Sequence, residues 1–269
     1  MLPARGLPSF KPELEHNPMT VEAPPPAKTV QPAYLKSSAG TLSGRVAVVV
    51  LFEVLPRHRL WGYSCFVRGP KALADPPGLV FAKVLGSGHQ GGFGLQPSGS
   101  RQARFCLFDQ EQEADNFLAS PLVQGYARRS GEFFSAKLRA YSCRGSWSGA
   151  NIEVTAEAPS AGPIMSLTRA SIRPSRARQF WRMQPASELA LAQSQGCLMA
   201  TGVGEAPFLR QATLTVWSDV AAMDNYARSG AHLAAIQAAY GGGFFSESMF
   251  ARFSPLALRG VWRGRTFGS

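Results

Sequence analysis

Three things are scarce in this 269-residue chain: cysteine, histidine and negative charge. The four cysteines, Cys65, Cys106, Cys143 and Cys197, make no CxxC pair and no zinc-type spacing. That excludes a zinc ribbon and a thioredoxin-like redox motif, and it points to reduced thiols in a cytoplasmic setting. No apolar run approaches the roughly 20 residues a membrane-spanning helix needs. The longest, VAVVVLFEVL at 46–55, predicts a buried strand instead. The first 40 residues lack a basic start followed by an apolar run, so they do not form a secretory leader. They are rich in proline, with eight of the chain's 20, and 1–42 is expected to be a disordered tail.

Acidic residues number 17 against 28 basic ones, a net charge of +11, and residues 1–40 contribute only +1 of it. The folded part therefore carries the positive charge. Such a surface favours acidic partners. With no zinc-finger spacing, no RNP-type aromatic box and no helix-turn-helix pattern, nucleic acid is not among them. An acidic redox protein and an anionic membrane surface remain.

What the chain does have is an internal duplication. Asp115-Asn116 and Asp224-Asn225 stand 109 residues apart, and the same offset lays ARFCLF (103–108) over ATLTVW (212–217). FFSAKLRAYSCRGSWSG (133–149) is echoed by FFSESMFARFSPLALRGVWRG (244–264). A repeat this long is no solenoid unit. It predicts two copies of one small unit, at 43–157 and 158–269.

Each copy has the same order of elements. In the first, strands are expected at 46–55, 78–86, 103–108 and 136–147, with a helix within 57–68 and another at 109–120 opened by Asp109 as N-cap. A further helix is expected to follow Pro121. In the second, strands fall at 163–173, 196–204, 210–217 and 249–262, and helices at 175–183, at 218–229 with Ser218 as N-cap, and at 231–240. The pattern β-α-β-β-α-β, with its second helix broken, is the ferredoxin-like plan. The expected fold class is α+β: two fused ferredoxin-like repeats forming a pseudo-dimeric α/β barrel. Their bare sheet faces are expected to press together around an apolar cavity.

Among four histidines, His16 lies in the tail, His58 stands between Arg57 and Arg59, and His89 lies in the glycine-rich GSGHQGGFG (86–94). That loop lacks the lysine and the glycine spacing of a nucleotide site. His232 opens an amphipathic helix with Ile236 and Tyr240 on its face, and its counterpart in the first copy is Val123. A lone histidine at a helix start is as a rule a surface or packing residue. Arg169 shares a strand face with Met165, Leu167, Ser171 and Arg173, beside apolar neighbours. It suits either a structural ion pair or a contact to a bound carboxylate, and Arg210 is a second such candidate. Lys83 interrupts an apolar strand just before the glycine turn, and snorkelling to the strand end is one reading of it. Trp147 and Trp262 occupy matching ends of the copies, which argues for packing.

Read in order, GSG (86–88), RGSWSG (144–149), GPIMSLTRASIRP (162–174), FWR (180–182), GVGEAPFLRQATLTVW (202–217), MDNYARSGAHLAAI (223–236) and ARF (251–253) give the chain a resemblance to the spheroidene monooxygenase family. These are carotenoid oxygenases of purple photosynthetic bacteria. The resemblance covers about residues 44–264 and departs from the family pattern at Ala82, His89 and Arg210. It implies a haem-dependent monooxygenase of carotenoid biosynthesis. Its implied reaction is oxidation of acyclic, spheroidene-type carotenoids at C-2 to hydroxy and keto products, with O2 and reduced 2Fe–2S ferredoxin as co-substrates. His232 is the implied axial ligand to the iron, and Arg169 and Arg173 are implied cofactor contacts. Arg169, Arg210, Gln211 and Lys83 are candidate pocket residues. The implied setting is peripheral, at the inner or photosynthetic membrane, with acidic ferredoxin and anionic lipid as partners. A non-catalytic carotenoid- or lipid-binding protein, a haem lyase and a haem-free α/β-barrel monooxygenase are the alternatives.

Overall fold

The computed structural model describes residues 46–89, 92, 96–206, 208–228, 230, 233, 234, 237 and 241–268. The expected tail at 1–42, His232 and most of the helix expected at 231–240 lie outside the described residues.

The first half runs β1 (Val46–Val54), α1 (Arg59–Val67), β2 (Leu79–Gly88), β3 (Pro97–Phe108), α2 (Glu111–Leu118), α3 (Pro121–Arg128) and β4 (Ser130–Gly145). The second runs β5 (Ile164–Ile172), α4 (Ala177–Ala192), β6 (Cys197–Ala206), β7 (Arg210–Trp217), α5 (Val220–Ala227) and β8 (Phe245–Trp262), with a short β9 (Arg265–Phe267) folded back on β8. Two caps differ from expectation. Helix α2 is preceded by Gln110, which makes no side-chain cap bond, so Asp109 is not the N-cap. Helix α5 is capped by Asp219, whose carboxylate accepts from the Ala222 amide at 2.7 Å. Ser218 stands one place earlier and donates to Asp219 at 2.9 Å. The carboxylate wins because it is the stronger acceptor at a helix N-terminus.

The strands pair antiparallel in the order β4-β1-β3-β2-β6-β7-β5-β8, and β4 pairs with β8 to close an eight-stranded barrel. Within the halves the orders are β4-β1-β3-β2 and β8-β5-β7-β6. The two seams between them are unequal. β4 and β8 pair from Phe134–Gly260 to Gly145–Met249. β2 and β6 meet only at Gly86–Gly204 and Ser87–Val203. At this short seam a Cβ on Gly204 would stand 2.7 Å from the Arg210 carbonyl oxygen, so only glycine fits.

The hollow expected between the two sheets is absent among the described residues. The inward positions carry bulk: Phe81, Phe105, Phe134, Phe253, Trp147 and Trp262 interlock with Val, Leu and Met side chains from both halves in one buried cluster. Phe105 lies 5.3 Å from Trp147 of its own half and 6.5 Å from Phe253 of the other, ring centre to ring centre. Alternate residues of every strand converge on the axis, so side chains of this size fill a barrel of eight strands. The run at 46–54 is apolar at every position but Glu53 for a related reason. Ala47, Val49 and Leu51 face the axis, whereas Val46, Val48, Val50 and Phe52 lie in a second cluster with Phe117, Val123 and Tyr126 of α2 and α3.

Candidate functional site

Room for a ligand appears one layer out, between the second-half sheet and its helices, as a cavity of about 710 Å3. The reason is visible when the halves are compared through their registers. Val46 pairs with Phe108, and Ile164 with Trp217, so β1 and β5 correspond position by position. The helix-facing residues of the first half are Val48, Val50 and Phe52 on β1 and Arg104 and Cys106 on β3. Their counterparts are Ser166, Thr168, Ala170, Thr213 and Thr215, all of which line the cavity. In the first half Phe52 stacks on Tyr126 at 4.6 Å, and the Arg104 guanidinium lies 4.9 Å from the centre of the Phe52 ring, filling the layer. Small and hydroxylated residues leave the same layer open in the second. The open volume lies in the range of small-molecule and cofactor sites.

The opposite wall is α4. Phe180, Gln184, Glu188 and Leu191 recur at helical spacing along the face that borders the cavity. Among these, only Leu191 is fully buried. Trp181 fixes the start of the helix by donating to the Phe208 carbonyl at 3.0 Å, and Phe180 sets its ring edge-on to Phe245. Met223, Tyr226 and Ala227 of α5 close one end. Burial pushes the Tyr226 hydroxyl pKa upward and the nearby Cys197 thiol to about 11, so both stay protonated at neutral pH.

The floor is polar but ordered. Ser166 and Thr215 share a hydrogen bond of 2.6 Å, and Trp217 donates to Thr215 at 2.8 Å. Trp217 has taken one acceptor site of Thr215. The two hydroxyls between them therefore keep one hydrogen to offer a ligand. At the rim stand Arg144, Arg228 and Arg252. Arg252 pairs with Asp224 at 3.0 Å, and Arg228 with the same carboxylate at 3.1 Å. The first half has the equivalent pair in Lys137 and Asp115, at 2.7 Å.

The residues singled out from the sequence fall in three places. Gln211 lines the cavity and donates to the Ala206 carbonyl at 3.4 Å. Arg173 is exposed and donates to the Phe245 carbonyl at 3.2 Å. Arg169 borders the cavity through its strand, yet its guanidinium is engaged at the end of the barrel and is only 3% exposed. There it pairs closely with Glu247, donates to Ser171 at 2.7 Å, and lies over Trp147. Glu247 also accepts from Ser146 and from the Gly149 amide, both at 2.9 Å. Burial works to raise the Glu247 pKa, but the Gly149 hydrogen bond and Arg169 outweigh it and hold the carboxyl below its usual range. Lys83 does not snorkel out. It bonds Ser148 at 2.7 Å and Glu205 at 3.1 Å, across the short seam. Glu205 accepts from Trp147 as well, and Arg210, 57% exposed, reaches within 3.9 Å of it. Sequence reasoning missed Glu205, Glu247 and the hydroxyl floor. Matching the copies residue by residue would have found the floor.

No protein-family model matches the chain. It is 53% identical over 229 residues to a spheroidene monooxygenase of Rubrivivax gelatinosus, covering 85% of this chain and 89% of that one. To the spheroidene monooxygenase of Rhodobacter capsulatus it is 34% identical over 210 residues, covering 76% and 87%. Among solved structures, an aldoxime dehydratase crystallised with butyraldoxime superposes with a TM-score of 0.52 at 10% identity, covering 81% of each chain. At that identity the likeness is one of fold alone.

Proposed function

The chain belongs to the spheroidene monooxygenase family, and from that premise we propose that it oxidises acyclic, spheroidene-type carotenoids at C-2. The observation that carries the proposal is the second-half cavity, opened by small residues at the positions where Phe52 and Arg104 plug the first half. We read the halves as fused ferredoxin-like copies, 43–157 and 158–269, of which one keeps a filled helix layer and the other an open one. The paired orders β4-β1-β3-β2 and β8-β5-β7-β6, and the matched ion pairs Lys137–Asp115 and Arg252–Asp224, support this reading.

Haem would suit the cavity by volume and by the charge at its rim. From α4, Phe180, Met183 and Leu191 offer apolar contacts beside Gln184 and Glu188, and Arg144, Arg228 and Arg252 at the rim suit carboxylate side chains. The described lining residues include no imidazole or thiolate, so His232, four residues beyond Arg228 in sequence, would be the residue that holds the iron, on the strength of the family resemblance. When bound, haem would supply the activation of O2. The chain's residues do the rest. Phe180, Trp181 and Leu191 exclude water and guide an apolar chain end to the reacting position. The Ser166–Thr215 pair holds a hydroxyl hydrogen where oxygen chemistry needs a donor.

Insertion of one oxygen atom into a C–H bond, with the other leaving as water, consumes two electrons and two protons. Reduced ferredoxin would deliver the electrons singly. A second round at the same carbon gives a geminal diol, which loses water to form the ketone. The exposed Arg173, Arg176, Arg178 and Arg182, before α4 and in its first two turns, offer an acidic ferredoxin a docking face beside the cavity. No helix described is long and apolar enough to cross a membrane, and peripheral attachment gives access to a substrate dissolved in lipid. The test is expression in cells that make spheroidene and neurosporene, with carotenoids analysed by mass. Products carrying added oxygen at C-2 are expected; unaltered pigment with a folded, haem-loaded protein sinks the proposal.

A further inference from the structure

Helix α1 is apolar on two opposite faces. Gly62 and Cys65 are buried, and Trp61 and Phe66 half-buried, against the first-half sheet. Trp61 packs against Tyr126. That face accounts for the fold. The other face carries Leu60, Tyr63 and Val67, which are 88%, 69% and 63% exposed. These are the three most exposed large hydrophobic side chains among the described residues, and their spacing puts them in one stripe. Nothing in the packing of the barrel requires them to be apolar.

The charge around the stripe has one sign. Residues 54–74 contain Arg57, Arg59, Arg68 and Lys71 and no Asp or Glu. All four cations are exposed, and none is in an ion pair with a described carboxylate. At 100° per residue, Arg59 and Arg68 fall on opposite flanks of the stripe. Beside it opens a cavity of about 450 Å3, bordered by Tyr63, Phe66 and Val67.

We infer that α1 is the element that docks the protein on an anionic lipid bilayer, with Leu60, Tyr63 and Val67 in the acyl boundary and the four cations on headgroups. A helix lying in the interface plane needs an apolar stripe flanked by Lys or Arg, and α1 presents both on one surface. A second copy of the chain is a poor occupant, because like charges would face each other across the contact. An acidic protein would answer the cations but not the outward apolar stripe. The inference deepens the reading of a lipid-dissolved substrate by assigning the surface that meets the lipid. Its test needs neither substrate nor cofactor, so the two can fail separately.

The experiment is flotation of the full 269-residue chain with vesicles of phosphatidylcholine alone or mixed with phosphatidylglycerol. Binding is expected to the anionic vesicles and to weaken with salt. Arg59→Gln with Arg68→Gln should weaken it roughly 25-fold, at about fivefold for each charge near the surface. Leu60→Ser with Tyr63→Ser and Val67→Ser should weaken it roughly tenfold or more. Unchanged thermal unfolding would show that both variants are folded. Three results would overturn the inference: no binding to anionic vesicles, binding that the serine variant retains in full, or a serine variant that loses self-association or ferredoxin binding while vesicle binding persists. Should the serine variant misfold, Leu60→Ser alone, at the most exposed position, gives the same comparison.

Discussion

Ala170 sits where the first half has Phe52, a fully buried ring stacked on Tyr126. The same strand position therefore holds a benzyl side chain comfortably when the layer above it is filled. Ala170→Phe would send a ring into the 710 Å3 cavity. It would bury roughly 100 Å2 more apolar surface than alanine, worth about 2.5 kcal/mol at 25 cal/mol per Å2. Unfolded chains already bury part of that surface, so about 1–2 kcal/mol is the expected gain. For a domain of this size the melting temperature of cofactor-free protein should rise by about 3–6 °C. The same ring occupies the space assigned to haem, so Soret absorbance per mole of protein and carotenoid oxidation should both be lost. The assay is thermal unfolding of the cofactor-free variant beside the absorbance spectrum of the purified one. A variant that keeps wild-type absorbance and turnover would refute the placement of the site. A lowered melting temperature would refute the claim that small side chains alone hollow the layer.

His232→Ala is expected to abolish haem retention while leaving the melting temperature of the cofactor-free protein little changed, and a normal haem-to-protein ratio in the purified variant would remove the ligand assignment. Glu247→Gln should destabilise the barrel by about 2–4 kcal/mol, because it leaves the 3%-exposed Arg169 with only the distant Glu205 for a counter-charge. The wild-type pair should also show itself in acid. The folded Glu247 pKa lies below its ordinary value of 4.5, so its stabilisation is complete above that value and is lost as pH falls through the folded one. Denaturant midpoints from pH 6 to pH 2 should fall more steeply for wild type than for Glu247→Gln, and parallel curves would contradict this.

Much of the architecture is legible in the chain. The 109-residue offset and the alternation of ARFCLF and ATLTVW suffice to place β3 and β7 in equivalent positions. Caps are less legible, since Asp109 and Ser218 are good cap residues by type, and the choice between neighbours depends on backbone geometry. The duplication alone points to a cavity between the sheets, whereas the 710 Å3 cavity opens on the helix-facing side. Symmetry suggests that two bare faces leave a hollow, but only side-chain volume decides, and Phe105, Phe134 and Trp147 fill it. Arg169 illustrates a further limit. Its burial beside apolar neighbours follows from strand alternation, but its partner Glu247 is 78 residues away and comes into range only through the β5–β8 pairing.

The unequal seams give the cylinder a grain. Along β4 and β8 the halves are sewn together by a long ladder, whereas at β2 and β6 they are tacked by two residue pairs and the Lys83–Glu205 clasp. Breathing of the molecule should then follow one direction, like a book moving on its spine. Backbone amides around Gly86 and Gly204 are the first that such a motion exposes to solvent.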